Sequence, residues 1–352
     1  MLPEQVLDIA LKERIIFVMG DKDTGKTTLV VELANELFRQ GFSVGVIDAD
    51  IGQSDIGPPT TIGFGVVQAP LASLSDVALQ ALYFVGSISP KGYLLPLVIG
   101  TRKMLDNALN QGMQKILLDT TGLISGHIGR VLKTYKIQIT APDAIVCLQR
   151  AGECEHILNG YHGFNKPMIL RHSPIAQSHS KTLSDRQNHR AALFERYFTN
   201  ARLIHCSLED VGTFDTRLFK GKVLSSHIIA QVNQEICAST SAQTNASAGV
   251  FPQIVWGESF GRDITLVTSH KLKHHQIMSL KTILGSTRVI KNSTPEDYRN
   301  LLLGILDHNG ECCALGILRA LDFAAKTASI FTSAVPQKIA AVQFSSYAYE
   351  YS

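Results

Sequence analysis

The stretch Gly20-Asp21-Lys22-Asp23-Thr24-Gly25-Lys26-Thr27 constrains this chain more than any other. It satisfies GxxxxGK[ST] at every position and runs on into Thr28. Such a loop works only between a buried strand and a helix. The glycines allow a tight turn, backbone N–H groups converge on phosphate oxygens, and the helix N-terminus points at the same anion. The flanks meet that requirement. Residues 14–19 (RIIFVM) are a short apolar run, and Leu29, Val30, Leu33, Leu37 and Phe38 follow at helical spacing until Gly41. Gly20 through Thr28 are therefore expected to cradle a nucleoside triphosphate. Lys26 would reach the outer phosphates and the Thr27 hydroxyl would ligate Mg2+.

The pattern set by this loop continues. Residues 43–48 (SVGVID) read as the next buried strand, which makes the opening a βαβ unit. A helix is expected over 101–112, and strands over 115–119, 143–149, 167–170 and 201–206. Residues 233–249 are rich in Ser, Thr, Ala and Asn without periodicity, as a linker or exposed loop would be. Beyond them, 301–318 are two apolar runs around Asn309-Gly310, a hairpin signal, and 327–333 and 338–344 read as strands. The expected class is α/β: a P-loop NTPase with a mostly parallel sheet flanked by helices, plus a smaller C-terminal β-rich domain. The expected boundaries are a P-loop kinase domain over 1–232 with an Arg-bearing lid near 171–198, the linker over 233–249, and the β-rich domain over 250–352.

Composition sets the outer bounds. With 352 residues, 45% of them hydrophobic, the chain can bury one large core and a second, smaller one. A net charge of +3 neither requires nor excludes a nucleic-acid partner. Six cysteines without a CxxC pair suit reduced cytosolic usage rather than a disulfide framework or zinc site. No apolar run approaches the roughly 20 residues that span a bilayer, and the first residues (MLPEQVLDIALKER) carry no signal-type apolar stretch. A cytoplasmic protein without a membrane partner is expected.

Further motifs narrow the class of P-loop protein. Asp119-Thr120-Thr121-Gly122 matches the DxxG element of GTPases, but the one candidate for a guanine-reading NKxD loop, Asn165-Lys166-Pro167-Met168, lacks its Asp. Partitioning ATPases place a second Lys where this chain has Asp21; Lys22 is one residue off. Asp48-Ala49-Asp50-Ile51-Gly52-Gln53 puts two carboxylates at the carboxyl edge of the sheet, where α/β proteins bind ligands. Acids there can hold Mg2+, and one can take a proton from an attacking hydroxyl. Arg186 and Arg190, four residues apart, share a helix face, and guanidinium groups over a transferring phosphate favour its transfer.

Taken in order, these motifs resemble the polynucleotide 5′-hydroxyl kinase family. That family includes the RNA kinase subunit of the pre-mRNA cleavage machinery, the ribosomal RNA processing kinase and archaeal RNA 5′-kinases. Besides the P-loop, Asp48 to Gln53 is similar to its DxGQ-bearing motif, which Ser54–Gly63 continues. Tyr83 to Pro90 is similar to its YFxGxxSP segment, Thr120-Thr121-Gly122 to its clasp TxGW, and Arg186 with Arg190 to its RxxxR lid. The resemblance covers about residues 14–206, with a weaker echo in the tail.

The resemblance implies that Asp50 is the general base, and that Lys26, Arg186 and Arg190 stabilise the transferring phosphoryl. It implies Thr27 and Asp48 at the Mg2+, and Gln53, Thr120, Thr121 and Gly122 at the substrates. Two positions depart from it. Leu123 stands where the clasp has Trp, which removes a surface for base stacking. Asp119 adds a carboxylate where members often have Asn, able to act as a Walker B metal contact. The eukaryotic subunit's extra N-terminal domain is not expected.

The expected function is transfer of the γ-phosphoryl of ATP or GTP to the 5′-hydroxyl of RNA, with DNA as a second acceptor. The alternatives are a catalytically weak ATP-binding adaptor in RNA processing and a GTPase-type switch. Outside these motifs, His270 to His275 is expected to be an exposed basic stretch, Trp256 a packing residue, and Cys312 and Cys313 small buried residues of a strand.

Overall fold

Buried strands and amphipathic helices alternate from the start of the chain, as the P-loop demands. In order they are α1 (Glu4–Lys12), β1 (Ile15–Gly20), α2 (Lys26–Arg39), β2 (Val44–Ala49), β3 (Thr61–Val66), β4 (Ala78–Phe84), α3 (Leu94–Asn110), β5 (Lys115–Thr120), α4 (Gly126–Thr140), β6 (Ala144–Leu148), α5 (Glu155–Leu158), β7 (Met168–His172) and α6 (Leu183–Phe198). The computed structural model of the chain describes residues 2–175, 182–241 and 251–350. The chain divides into two compact units, 1–200 with 309–315, and 201–308 with 316–352.

In the first unit the strand order is β7-β6-β1-β5-β2-β3-β4. The pairs from β7 to β2 are parallel, and β3 and β4 add an antiparallel edge. β1 shows why the helices cover both faces. Phe17 and Met19 point into one core, with Ile47, Phe64, Leu97, Leu118 and Leu132; Ile16 and Val18 point into another, with Leu29, Leu33, Val44 and Leu117. A parallel strand buried on both faces reads as an unbroken apolar run. With both faces covered, the loops at the carboxyl ends of β1, β2 and β5 are where a ligand site can form.

The second unit contains β8 (Arg202–Ser207), β9 (Gly212–Phe214), β10 (Lys222–Val223), α7 (Ser226–Ser241), β11 (Ile254–Phe260), β12 (Asp263–Thr268), α8 (His274–Leu284), β13 (Val289–Ser293), β14 (Leu301–Leu306), β15 (Cys312–Asp322), β16 (Thr327–Thr332) and β17 (Ala341–Ala348). The residues of β15 before Gly316 count with the first unit. β14 and β15 are neighbours, as the Asn309-Gly310 hairpin signal requires, and β16 pairs antiparallel with β15 and β8. β10, β11, β12 and β13 form a separate sheet, with α7 and α8 supplying Val232, Ile236 and Leu280 to its core. Trp256 packs with Leu218, Val267 and Phe323, edge-on to Phe219 at 5.3 Å between ring centroids.

Three expectations need correction. Residues 233–241 of the expected linker are helix, because Val232 and Ile236, one turn apart, are both buried and carry α7 through to Ser241; residues 242–249 lie outside the described residues. Residues 201–232 group with the later strands rather than with the P-loop, since β8 joins β16. Cys313 is exposed and Cys312 half-buried, because they open β15 rather than sit in its core. No helix among the described residues is long and apolar enough to cross a membrane.

Candidate active site

The P-loop closes between β1 and α2. Gly25 caps α2 with φ 86°, a left-handed conformation that favours glycine, and a Cβ there would press on Ile175 at 3.1 Å. The Lys26 ammonium donates to the Asp21 carbonyl at 2.7 Å, which lays its side chain back over the loop. Arg150 reaches the loop from the end of β6 and donates to the Asp23 carbonyl at 3.0 Å. Ile175 N–H donates to the Thr24 carbonyl, so the stretch after β7 braces the same turn.

Two aspartates at neighbouring strand ends do different jobs. Asp119, at the end of β5, accepts the Thr27 hydroxyl on Oδ2 at 2.7 Å. Its other oxygen, Oδ1, is buried and has no hydrogen-bond donor among the described residues. Burial pushes the Asp119 carboxyl up to about 6, against the Thr27 hydrogen bond and the Lys26 charge. A buried carboxylate oxygen beside a threonine hydroxyl fits a hard divalent cation, which takes oxygen donors.

Asp48 is engaged elsewhere. Its Oδ1 accepts the Asp50 N–H at 3.0 Å, and its Oδ2 accepts the N–H groups of Asp55 (2.6 Å) and Ile56 (3.1 Å) and the Ser54 hydroxyl (3.4 Å). Burial, then the Asp119 and Asp55 charges, hold it well above the usual carboxylate range, against the Asp50 N–H. Asp48 therefore shapes the 50–56 loop, and Asp119 is the acid in contact with Thr27.

The loop shaped by Asp48 presents Asp50, whose Oδ1 accepts the Gly52 N–H at 3.1 Å. Gln53 Nε2 donates to the Gly52 carbonyl at 2.8 Å and to the Arg186 carbonyl at 3.4 Å, while its Oε1 is buried without a partner among the described residues. α6 begins at a capping box, in which Thr182 and Asp185 satisfy each other's backbone N–H groups. The helix brings Arg186 onto Asp23, 3.0 Å from Oδ2 and 3.2 Å from Oδ1, and His189 onto Asp55 at 3.0 Å. Residues 176–181 of the expected lid lie outside the described residues.

The third wall is the turn after β5. The Thr120 hydroxyl donates to the Val18 carbonyl at 2.7 Å, which fixes the end of β5 to β1. Gly122 passes so close to the P-loop that a Cβ would lie 2.7 Å from the Lys22 nitrogen.

Two adjoining hollows result. A 160 Å³ pocket is lined by Lys26, Thr27, Thr28, Thr120 and their neighbours in the P-loop. A wider cavity of about 700 Å³ lies under Leu123, Ile128, Leu183 and Arg190 and also includes Thr121. Lys22, Asp50, Gln53, Gly122 and Arg186 line both. Of the predicted residues, Gly20, Asp21, Thr24 and Asp48 line neither hollow, Asp48 because it sits beneath the loop, and the others line one or both. Lys91, His127, Arg150, Lys133 and Lys136 are additional groups around the site that the motifs do not reveal. For the last two a signal existed: both fall on the apolar stripe of α4, with Leu132 and Ile137.

The family described as the P-loop of the mRNA cleavage and polyadenylation factor CLP1 matches residues 20–200. A polyribonucleotide 5′-hydroxyl-kinase of Pyrococcus furiosus is 32% identical over 318 residues, which cover 90% of this chain and 82% of that protein. One of Pyrococcus horikoshii is 33% identical over 325 residues, covering 91% and 81%. Among solved structures, a chain of the wild-type Clp1p–Pcf11p complex has the same fold, with a TM-score of 0.61 at 11% identity, covering 98% of this chain and 78% of its own. The chain therefore belongs to the family of the CLP1 P-loop.

Proposed function

We propose that this protein is a polynucleotide 5′-hydroxyl kinase that moves the γ-phosphoryl of a nucleoside triphosphate, ATP in the first instance, to the 5′-hydroxyl of RNA. The observation that carries this reading is that Asp50 lines both the phosphate pocket and the wider cavity. A base at that junction can touch an acceptor entering from one side while the donor's terminal phosphate lies on the other. The names of the Pyrococcus relatives support the same activity and acceptor.

In this reading the P-loop amides and Lys26 hold the outer phosphates. Thr27 and Asp119 would hold a divalent cation, which supplies charge neutralisation between the phosphates. Asp50 takes the proton of the 5′-hydroxyl as that oxygen bonds to the γ-phosphorus. The bond from phosphorus to the bridging oxygen breaks, and the nucleoside diphosphate leaves. Arg186 and Arg190 face the charge that spreads over the phosphoryl oxygens. Gln53 Oε1 is a buried acceptor at the same junction, suited to a hydroxyl of the acceptor sugar. Asp48 contributes by holding the loop that carries Asp50.

Purified protein incubated with Mg2+, γ-labelled ATP and a 5′-hydroxyl oligoribonucleotide tests the proposal. The expected product is a 5′-labelled RNA; label found only in inorganic phosphate, with several acceptors and with GTP as well, would overturn it. Leu123 favours a second reading, an ATP-binding adaptor, because it gives the wider cavity an aliphatic wall where the resemblance leads one to expect a stacking ring. Tight nucleotide binding without turnover on any acceptor would be its signature.

A further inference from the structure

Two lysines of α4 play no part in the chemistry above, yet both are fully buried beneath it. Lys133 and Lys136 share the helix face of Gly129, Leu132, Ile137 and Thr140 that packs inward. Among the described residues neither ammonium has a carboxylate within ion-pair reach. Their hydrogen bonds go to strand ends instead. Lys133 Nζ donates to the Thr120 hydroxyl at 2.5 Å and to the Thr121 carbonyl at 2.6 Å. Lys136 Nζ donates to the Ala49 carbonyl at 3.3 Å. Since Thr120 donates onward to the Val18 carbonyl, the two side chains tie together the ends of β5, β1 and β2. From those ends hang the turn with Thr121 and Gly122, the P-loop, and Asp50.

Packing alone does not ask for ammonium groups here. Burying one without an anionic partner is unfavourable, and a methionine of similar reach would fill the space at lower cost. Burial holds Lys133 well below its ordinary value, as do the Lys136 and Lys26 charges, while Asp50 and Asp119 draw it back up. Burial likewise brings Lys136 down to about 8, against Asp50 and Asp48. What the lysines add is directional bonds to strand ends.

We propose that Lys133 and Lys136 are positioning residues for phosphoryl transfer, clamping the carboxyl ends of β2 and β5 so that Asp50 and the Thr121-Gly122 turn keep a fixed place relative to the P-loop. The proposal rests on the kinase reading for its kinetic readout, but not for its structural one.

The test uses the full chain carrying Lys133→Met or Lys136→Met, with three measurements. Triphosphate affinity should stay within about threefold, and kcat should fall at least about tenfold with the acceptor KM nearly unchanged, the split expected when only the transition-state geometry suffers. Amide exchange should quicken by about tenfold at residues 49–53 in the Lys136 variant and at 120–123 in the Lys133 variant, with α2 unaffected. Lys133→Gln, which keeps a donor, should recover part of both effects and serves also if the methionine variant fails to fold. Folded variants with unchanged kcat and unchanged local exchange overturn the proposal, as does an equal loss in KM and nucleotide affinity. A wild-type protein that transfers no phosphoryl would sink the kinase reading alone; the exchange rates would then decide whether the clamp exists.

Discussion

The Thr27 hydroxyl and Asp119 Oδ2 lie 2.7 Å apart in a hydrogen bond that joins the first turn of α2 to the end of β5. The other Asp119 oxygen is buried and without a donor among the described residues. Asp119→Asn should therefore raise the Mg2+ concentration needed for half-maximal transfer by at least about tenfold, the scale on which losing a metal-holding group is felt. Thermal stability should not fall, because the substitution removes a carboxylate that burial disfavours. Metal titrations of the transfer rate, with a melting curve beside them, check both halves.

Asp50 sits at the junction of the two hollows, its N–H donating to Asp48 and its Oδ1 accepting the Gly52 N–H. Asp50→Asn should lower kcat by about a hundredfold or more, in the range of general-base catalysis, and leave nucleotide affinity within a few-fold. Single-turnover transfer and equilibrium nucleotide binding measure the two separately. A variant that transfers at the wild-type rate would remove Asp50 from the base role.

Arg186 is held by Asp23 through both carboxylate oxygens, so the P-loop supplies its own anion to the lid. Asp23→Asn should loosen that hold and leave the guanidinium more available to phosphate. Triphosphate affinity is expected to tighten by a few-fold, with a steeper dependence on salt. Arg186→Ala should instead cost about a hundredfold in kcat, since a guanidinium over the transferring group acts mainly on the transition state. Nucleotide titrations at two ionic strengths distinguish these effects from a general loss of fold.

Lys136 makes stability depend on alkaline pH. Burial puts it at about 8 when folded, against 10.5 as its ordinary value. Between those values the unfolded chain holds a proton that the folded one has released, so stability rises with pH through that window. Below about pH 8 both states hold the proton and the burial penalty is in full force, on the order of 3 kcal/mol. Lys136→Met should thus stabilise the protein at pH 7, and the gain should shrink by pH 10. Denaturant melts at the two pH values measure it; a gain that stays constant or grows would contradict the assignment.

The parts of the fold that were legible are those where one signal is enough. β1, α2, β2, β5 and β6 follow from apolar runs and helical spacing anchored on Gly20 to Thr27. β3 and β4 were not, because Gly63 and Gly65 lower strand propensity in β3, and β4 alternates poorly, with Leu79 exposed. α3 begins at Leu94 rather than near 101, because Pro96 falls in its first turn, where a missing N–H goes unneeded, and Gly100 packs against the Tyr83 ring.

The site was legible to the extent that its groups belong to contiguous motifs. Its supporting groups do not. Asp48 and Asp50 look alike on paper, and only the course of the 50–56 loop directs four donors onto the first and leaves the second lining the hollows. Arg150 reaches the P-loop from far along the chain, with nothing in its neighbours to mark it.

The close passage of Gly122 over the Lys22 backbone has a consequence for how the two substrates meet. Gly122 and Lys22 each line both hollows, and their contact leaves no room for a side chain at position 122. If the wider cavity takes the acceptor and the narrower pocket the donor, as proposed above, a displacement of the turn on binding RNA should be felt by the P-loop, and the reverse. Linkage makes the effect mutual: whatever factor RNA confers on nucleotide affinity, nucleotide confers on RNA. Gly122 is thus one of the residues shared by the two hollows through which such a coupling would run.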